Sequence, residues 1–432
     1  MSSFARRVLF TMAIGAAAPA VAAAQSNIET NAGIQFDFLN PGARSLGMGG
    51  AFLAIADDAT TAFTNPAGLR EISRKEVSFE VRFRGFETPY TLRGHGFGSP
   101  TNFGVDTVAG LVDGFSEESV VSPSFFSFVL PRPKWAVAAY RHELARFKSS
   151  MTTEGAFLGS GTSISRLFPV QGSLELTVVD YGVSGSYNIS NQVSVGGGLV
   201  VYDIQNESMV QRFDFVNFNA ATYTTVVNTQ DQLGDGRAVG ANIGLMVKPT
   251  EQVQFAVVYR SGVSVDVQAT NRNAAGVTIV DEPAKFNVPD VFGFGLAVRP
   301  VTGLRVGVDI NRVMYSQLTD GFADVFQLDT GGTGPELFSV EDGTEVHLGA
   351  EYLFTNLAAP IAVRAGVWRD PAHSIVYNGT RQDFQALFRE RESSYVHSAF
   401  GAGFVVQQLE VNFGADLSKL VKTFSVSAVV RF

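Results

Sequence analysis

The sequence predicts an all-β protein, a 14-stranded antiparallel transmembrane β-barrel with an N-terminal hatch that plugs the lumen. Three observations support this fold. Apolar and polar residues alternate from about residue 77 onward, the connections between the alternating segments are short and long in turn, and the chain ends in Phe432. Alternation gives each strand one apolar and one polar face, which is typical of outer-membrane barrels.

Composition narrows the class of protein. Of the 432 residues, 45% are hydrophobic and 17% are charged, and there are 36 phenylalanines and no cysteine. The lack of cysteine excludes disulfides, thiolate metal sites and cysteine nucleophiles. The net charge of −9 argues against nucleic acid as a partner, because phosphate binding needs a basic face.

Residues 1–24 have the features of a signal peptide. Arg6 and Arg7 form a basic start, an apolar stretch follows, and three alanines precede Gln25 at a cleavage site. The apolar stretch is too short to span a bilayer. We therefore expect an exported protein, either free in the periplasm, secreted, or embedded as a barrel.

Residues 25–76 are predicted to form the hatch. Their centre, residues 42–69, reads "GARSLGMGGAFLAIADDATTAFTNPAGL" and is rich in small residues. Gly47, Gly49 and Gly50 permit close packing of the main chain against a wall. A compact segment of this kind fills a lumen that 14 strands would otherwise leave open.

Turn and cap residues follow the glycines. Asp57 and Asp58 are predicted to cap a short helix, each carboxylate accepting a backbone N–H. Asn65 is predicted to adopt a left-handed turn, and Pro66, followed by Ala67, is predicted to end the helix.

Residues 77–432 are predicted to form the barrel. The 14 predicted strands lie near residues 77–86, 122–130, 135–146, 173–187, 193–204, 236–248, 252–268, 286–299, 304–318, 343–355, 361–370, 394–406, 409–417 and 423–432. Long connections are expected near 87–121, 147–172, 205–235, 269–285, 319–342 and 371–393. A soluble β-sandwich would expose a polar face rich in Lys and Glu, whereas the polar face here is mostly Gly, Ser and Asn.

The hatch sequence resembles that of a known family. The runs "GMGGA", "ADDA" and "NPAGL" are similar to the N-terminal hatch of the FadL family, which transports long-chain fatty acids and aromatic hydrocarbons across the outer membrane and includes TodX-like members. The resemblance continues through "YGVSGSYNISNQVSVGGGLVVY", "VVYRSGVSVDVQA" and "FNVPDVFGFGLAVRP". It implies a plugged 14-stranded barrel, in agreement with the strand count.

The resemblance also implies a function. It implies uptake of long-chain fatty acids or other hydrophobic small molecules by passive passage, with binding between outer loops, transfer to a lumen pocket, and sideways release where the third strand kinks inward. The third strand, "WAVAAYRHELARF", lacks the glycine expected at a deep kink. We expect a monomer in the bacterial outer membrane, assembled by the barrel assembly machinery and surrounded by outer-membrane lipids and lipopolysaccharide.

Aromatic residues cluster in two of the predicted surface loops. The candidate ligand-binding residues are Phe97, Phe103, Phe213, Phe215, Phe218 and Tyr223, together with Arg260 on the predicted lumen face. The loop aromatics predict a landing groove for an apolar ligand. The same pattern also fits loops that pack on one another and cap the barrel.

Charged residues on the predicted lumen face have two interpretations. The arginines are Arg82, Arg84, Arg260, Arg305 and Arg364, and the acids are Glu80, Asp266, Asp309, Glu345, Glu351 and Asp416. One arginine meets a substrate carboxylate, or the whole set forms ion pairs that hold the strands and the hatch together.

The sequence is compatible with three functions: a transporter of hydrophobic small molecules, a PorV-like outer-membrane scaffold for protein secretion, and a barrel enzyme. The pattern favours the transporter. We predict no catalytic residue, because none of the five histidines has an acid or serine placed for catalysis. We predict no metal site and no cofactor, since "GMGG" does not follow a strand and "DQLGDG" has too few spaced oxygens for calcium.

Overall fold

The computed structural model describes residues 27, 30, 33–34, 38–96, 99–100, 106–160, 163–166, 169–214, 223–320, 337–380, 382–388 and 394–432. The signal peptide predicted for residues 1–24 lies outside the described residues. Most of the described residues are in β-strands, because the alternating sequence cannot present a helical face to either lipid or lumen.

The strands, in chain order, are β1 (Glu76–His95), β2 (Gly110–Pro131), β3 (Trp135–Thr152), β4 (Gly155–Ser160), β5 (Ser163–Arg166), β6 (Val170–Asn188), β7 (Val193–Phe213), β8 (Val226–Thr250), β9 (Val253–Arg260), β10 (Val263–Asn273), β11 (Thr278–Val288), β12 (Val291–Val298), β13 (Leu304–Val313), β14 (Phe338–Ser339), β15 (Gly343–Phe354), β16 (Ile361–Pro371), β17 (Val376–Tyr377), β18 (Ser394–Val406), β19 (Leu409–Leu417) and β20 (Val421–Arg431).

These strands form a closed antiparallel barrel. β9 and β10 together make one wall strand, and β11 and β12 make the next, so that the wall has 14 strands, as predicted. β1 pairs with β20 from Glu76↔Arg431 to Phe86↔Val421, which closes the sheet. β4 and β5 form a small hairpin beside the top of β1, and β14 pairs with β17 in a separate two-stranded sheet.

The apolar face of the wall is its outer face. In β1, Phe79 and Phe83 are 47% and 39% exposed, whereas Ser78, Glu80 and Arg82 are buried. The polar side chains therefore point into the lumen and the rings point outward, as expected for a barrel in a bilayer.

Several strands continue beyond the predicted boundaries into segments predicted as long loops. The β1–β2 ladder runs to Gly94↔Leu111, and the β6–β7 ladder runs to Val170↔Arg212. The outward residues of these extensions include the exposed Glu117 and Glu207. Alternation of apolar residues marks only the lipid-facing part of a strand, whereas main-chain pairing continues past it.

A break within one wall strand reverses its two faces. Arg260 at the end of β9 points inward, but beyond residues 261–262 the inward residues of β10 are Val265 and Val267, and Asp266 is exposed. Asp266 was predicted on the lumen face, and that prediction is wrong. The two-residue interruption shifts the alternation by one position, and each face of β10 therefore continues the opposite face of β9.

Short helices interrupt residues 38–72, which are almost entirely buried. They are α1 (Ala43–Leu46), α2 (Thr61–Thr64) and the 3-10 helix Pro66–Glu71, and α3 (Gln382–Leu387) lies in a long connection. Within the described ranges, no helix is long and apolar enough to cross a membrane.

Glycines seat residues 38–72 against the inner face of the wall. A Cβ at Gly349 would overlap the main-chain oxygen of Met48, and one at Gly47 would come within 2.7 Å of the Cα of Gly401. Gly49 and Gly50 have φ angles of +62° and +78°, the region that glycine favours. Main chain therefore packs on main chain at these points.

We predict that Gly349→Ala destabilises the folded barrel by about 1–3 kcal/mol, because the added methyl group meets a backbone atom and cannot be accommodated without a shift. The measurement is the temperature at which the band of the folded protein converts to the unfolded position on gel electrophoresis. The matched control is Gly197→Ala, where the new Cβ would lie 3.6 Å from the main-chain oxygen of Asn242, an ordinary contact. Equal conversion temperatures for the two variants would contradict the prediction.

Candidate functional site

Acidic side chains of the wall hold the N-terminal segment by its main chain. The Oδ2 of Asp309 in β13 accepts the N–H groups of Phe52 and Leu53 at 2.6 and 2.8 Å. The Oε2 of Glu80 in β1 accepts the N–H of Gly42 at 2.9 Å. These bonds satisfy donors that would otherwise be buried without partners, and they fix the segment at two sides of the barrel.

A buried arginine joins the segment to the wall. The Arg44 guanidinium donates to both carboxylate oxygens of Glu351 at 2.8 Å and to Oδ1 of Asp57 at 2.6 Å. Asp57 also pairs with Arg305 of β13. Burial alone would raise the pKa of Asp57, but the charges of Arg44 and Arg305 outweigh it and hold that pKa well below its usual range.

The predicted cap at Asp57 is wrong. Helix α2 begins after Thr60, whose side chain makes no cap hydrogen bond. Both carboxylate oxygens of Asp57 accept hydrogen bonds from arginines. Asp58 does accept a backbone N–H, that of Thr60 at 3.0 Å. Ion pairs with the buried guanidinium of Arg44 and the half-buried one of Arg305 are stronger than one bond to a helix end, and this explains the difference.

The predicted left-handed turn at Asn65 is also wrong. Asn65 is extended, with φ −156°, and its side chain accepts the N–H of Ala67 at 3.1 Å and donates to the oxygen of Leu53 at 2.9 Å. Helix α2 ends before Pro66, which opens the following 3-10 helix. The amide side chain thus makes the turn without a change in the sign of φ.

A buried cluster lies where α2 meets the inner wall. It consists of Phe63 of α2, Tyr140 and His142 of β3, Asp180 of β6 and Arg260 of β9, and we call it the Phe63 cluster. The ring of Phe63 lies 4.2 Å from the His142 ring and 6.0 Å from the Tyr140 ring, and the Arg260 guanidinium lies 5.0 Å from the Phe63 ring centre. The apolar ring is therefore surrounded by polar groups.

Arg260 differs from the other lumen arginines. Arg82 pairs with Glu80 at 2.8 Å, and Arg364 pairs with Glu351 at 2.7 Å. Among the described residues, no carboxylate oxygen lies within 4.0 Å of a guanidinium nitrogen of Arg260. Its Nη1 donates to the Oδ1 of Asn40 at 3.3 Å, a long and neutral bond for a buried cation.

Other polar atoms of the Phe63 cluster are also poorly satisfied. Both ring nitrogens of His142 and both carboxylate oxygens of Asp180 are buried and hydrogen-bond to nothing in the described part of the chain. The Nδ1 of His142 lies 3.5 Å from the Oδ2 of Asp180. Buried polar groups normally have partners, so the cluster is suited to a molecule that brings polar atoms into the lumen.

The ladder between β2 and β3 stops partway up the wall. Pairing runs from Pro131↔Ala136 to Phe125↔His142, and the continuously described range 106–160 contains no β2–β3 pair beyond it. We call this part of the wall the β2–β3 opening. Side chains bridge it: Ser122 bonds to Glu143.

β3 has an irregularity at the same level. Its register with β6 shifts between Glu143 and Ala145, and these two residues and Leu144 are all buried in succession. A bulge of this kind bends the strand that carries it, and no glycine is needed.

The predicted loop aromatics lie only partly within the described chain. Phe97, Phe103, Phe215 and Phe218 lie outside the described residues. Phe213 ends β7, is only 4% exposed, and packs edge-on against Tyr223 at 5.4 Å. The landing groove therefore stays a prediction.

A second group of rings supports the alternative in which loops pack on one another. Phe338, Tyr377, Phe384 and Phe388 are buried together between the β14–β17 sheet and α3. The Thr91 hydroxyl of β1 donates to the main-chain oxygen of Ala386 at 2.8 Å and ties α3 to the wall. These rings therefore fill the interior of a cap.

The sequence did not identify Phe63, Tyr140, His142 or Asp180 as site residues. Alternation in "AYRHE" does place Tyr140 and His142 on the inner face of β3. It does not show which residues of other strands and of α2 meet them, since those contacts join distant parts of the chain.

Comparisons with known proteins agree with this geometry. A sequence model of the outer-membrane transport protein family OMPP1/FadL/TodX matches residues 165–381. The structure of a Pseudomonas aeruginosa FadL homologue is 13% identical, covers 92% of this chain and 100% of its own, and has a TM-score of 0.65. A search of curated protein sequences finds no match.

Two further structures share the fold. The CymD monoaromatic hydrocarbon channel is 15% identical, with 92% and 99% of the two chains covered and a TM-score of 0.56. The Ralstonia pickettii toluene transporter TbuX is 14% identical, with the same coverage and a TM-score of 0.55. The closed barrel, the outward apolar face and the family match over half of the chain lead to one conclusion: this chain belongs to the OMPP1/FadL/TodX family of outer-membrane proteins that transport hydrophobic compounds.

Proposed function

We propose that the barrel carries amphipathic hydrophobic molecules with a carboxylate, such as long-chain fatty acids, by passive passage through its lumen. The observation that carries this proposal is Arg260, a buried cation with no carboxylate partner among the described residues. A guanidinium in this position gains a charge-assisted bond when a carboxylate arrives.

The surroundings of Arg260 suit a molecule with two unlike ends. Phe63 and the buried Phe125 and Leu144 offer apolar surface, and apolar contact contributes about 25 cal/mol per Å². A bare hydrocarbon would gain that contact but would leave Arg260 and His142 without new partners. The Phe63 cluster thus favours a substrate with a polar head over the hydrocarbons named for CymD and TbuX.

We further propose that residues 25–76 act as the hatch and block straight diffusion along the barrel axis. Support comes from the burial of helices α1 and α2 and from the hydrogen bonds that the N–H groups of Gly42, Phe52 and Leu53 donate to Glu80 and Asp309. A molecule that reaches Phe63 then has the β2–β3 opening beside it, because His142 belongs to both the cluster and the last β2–β3 pair. The proposed route leaves the lumen sideways there.

We predict that Arg260→Gln weakens binding of a long-chain fatty acid by about 10- to 100-fold, since a charge-assisted bond is worth about 1.5–3 kcal/mol. Binding is measured by titration of oleate into the purified barrel. The matched control is Arg237→Gln, in which an arginine with a 75% exposed side chain is changed in the same way.

Toluene uptake by cells that express each variant separates a ligand contact from a folding defect. We expect Arg260→Gln cells to take up toluene at the native rate, because a bare hydrocarbon has no charge to lose. Native affinity of Arg260→Gln for oleate would remove Arg260 from the site, and toluene binding tighter than oleate binding would contradict the proposed substrate class.

We predict that Asp57→Asn raises ion conductance in planar bilayers, because Arg44 and Arg305 lose the charge between them and the hatch loosens. Since folding lowers the pKa of Asp57, its contribution is complete above its usual value of 3.8 and is lost as the pH falls below that value.

The contribution of Asp57 to a low conductance of the native barrel is therefore expected to stay constant between about pH 8 and 5 and to be lost only in stronger acid. The conductance of the Asp57→Asn variant should be high across the same pH range. Asp235→Asn is the control, an identical change at an exposed position of β8. A native conductance that already rises near neutral pH would exclude Asp57 as the group responsible.

A further inference from the structure

We propose that Arg141, on the outer face of β3 at the lower edge of the β2–β3 opening, receives the carboxylate of a substrate as it leaves the barrel sideways. The inference rests on the proposed function, because it assumes that the substrate carries a carboxylate. It assigns a role to a residue outside the lumen, where neither the hatch nor the Phe63 cluster reaches.

Arg141 faces away from the lumen. Alternation along β3 buries Tyr140 and His142 and turns Arg141 outward. Its partners in the two neighbouring strands are Phe126 of β2 and Tyr181 of β6, which are 48% and 50% exposed. The guanidinium therefore starts from a surface that is otherwise aromatic and apolar.

The position along β3 places Arg141 within the membrane. It lies six residues above Trp135, where β3 begins at a short turn. With a rise of about 3.3 Å per residue and a tilt of about 40°, this is roughly 15 Å above the turn, inside an apolar band about 25 Å tall. A charge on the lipid face at this depth is unfavourable unless it has a function or a partner.

One hydrogen bond of Arg141 shows how it relates to the opening. Its Nη1 donates to the main-chain oxygen of Pro123, just beyond the last β2–β3 pair at Phe125↔His142. The side chain thus satisfies a carbonyl group that the end of the ladder leaves free. A guanidinium has five N–H donors, so donors remain for another acceptor.

No acid of the described chain takes up those donors. Among residues 27–432 as described, no carboxylate oxygen lies within 4.0 Å of the Arg141 guanidinium. Satisfying the Pro123 oxygen needs one neutral N–H, which a glutamine would supply. The positive charge of Arg141 is therefore unexplained by its structural bond, and it suits an anion that arrives through the opening.

The physical reason for such a residue lies in the cost of release. A carboxylate that leaves Arg260 for hydrocarbon loses its partner and its hydration together. A second guanidinium on the outer side of the same opening offers a bidentate partner at the moment of exit. A phosphate group of a lipid has the same chemistry, and the test distinguishes these two sources.

The test compares native barrel, Arg141→Gln and Arg141→Lys, each reconstituted in vesicles, for transfer of oleate and of its uncharged methyl ester. Arg141→Gln keeps a donor for the Pro123 oxygen but lacks the charge. We expect it to slow oleate transfer about tenfold, to leave methyl oleate transfer at the native rate, and to bind oleate in detergent with native affinity. Oleate transfer by Arg141→Lys is expected to be intermediate, since lysine keeps the positive charge but lacks the planar guanidinium that binds a carboxylate through two hydrogen bonds.

The control is Arg312→Gln, an outward arginine of β13 that bonds to Thr344 of β15. It should transfer both compounds at the native rate. Native oleate transfer by Arg141→Gln would overturn the role of Arg141 and leave the proposed function intact. Equal slowing of oleate and methyl oleate transfer would show that Arg141 serves only to satisfy the Pro123 oxygen at the end of the β2–β3 ladder, and this result would also overturn the proposal.

Two further results complete the test. Loss of a co-purified phospholipid from Arg141→Gln in native mass spectrometry, with unchanged oleate transfer, would assign the guanidinium to a lipid phosphate and overturn the proposal. Failure of the native barrel itself to bind or transfer oleate would contradict the proposed function, and the role of Arg141 with it.

Discussion

Main-chain hydrogen bonding within a bilayer is the constraint on which the rest of this structure depends. Hydrocarbon offers no partner for an N–H or C=O group, so the sheet must close on itself, and β1 and β20 complete that closure. Any place where the ladder stops needs another donor or acceptor. The β2–β3 opening is such a place: the Arg141 side chain donates to the main-chain oxygen of Pro123, and a hydrogen bond between the side chains of Ser122 and Glu143 crosses the opening. At the opening, side-chain hydrogen bonds therefore connect the two strands where main-chain pairing stops.

Closure of 14 strands creates a wide lumen, and the same hydrogen-bonding requirement applies to whatever fills it. The N-terminal segment contains only short helices, so many of its N–H groups have no partner within the segment. Wall carboxylates accept them at Asp309 and Glu80, and glycines on both sides let the chains come close enough. The N-terminal segment is thus held by bonds to several strands, and its release would require several of those bonds to break together.

Charge is used in two ways inside this barrel. Arg44, Glu351 and Arg364 form a compact network in which each charge has an opposite partner, and such pairs stabilise the junction of hatch and wall. Arg260 lies over Phe63 with no carboxylate partner in the described chain. One lumen therefore combines a satisfied network that joins the N-terminal segment to the wall with a poorly satisfied cluster that we propose as the substrate site. The separation of the two within one cavity also explains why changes at Asp57 and at Arg260 are expected to alter different measurements.

The sequence by itself determined the barrel and its 14 strands, because alternation is a local pattern that needs no knowledge of neighbours. It also placed Arg260 on the lumen face. It did not determine the flipped face of Asp266, because the break at residues 261–262 has no alternation signal of its own. Only the tertiary structure decided that Asp57 pairs with Arg305, 248 positions away, and that Phe63 meets His142. A buried charge pairs with whichever opposite charge lies near it in the folded barrel, and the separation of two residues along the chain does not show whether they are close in space.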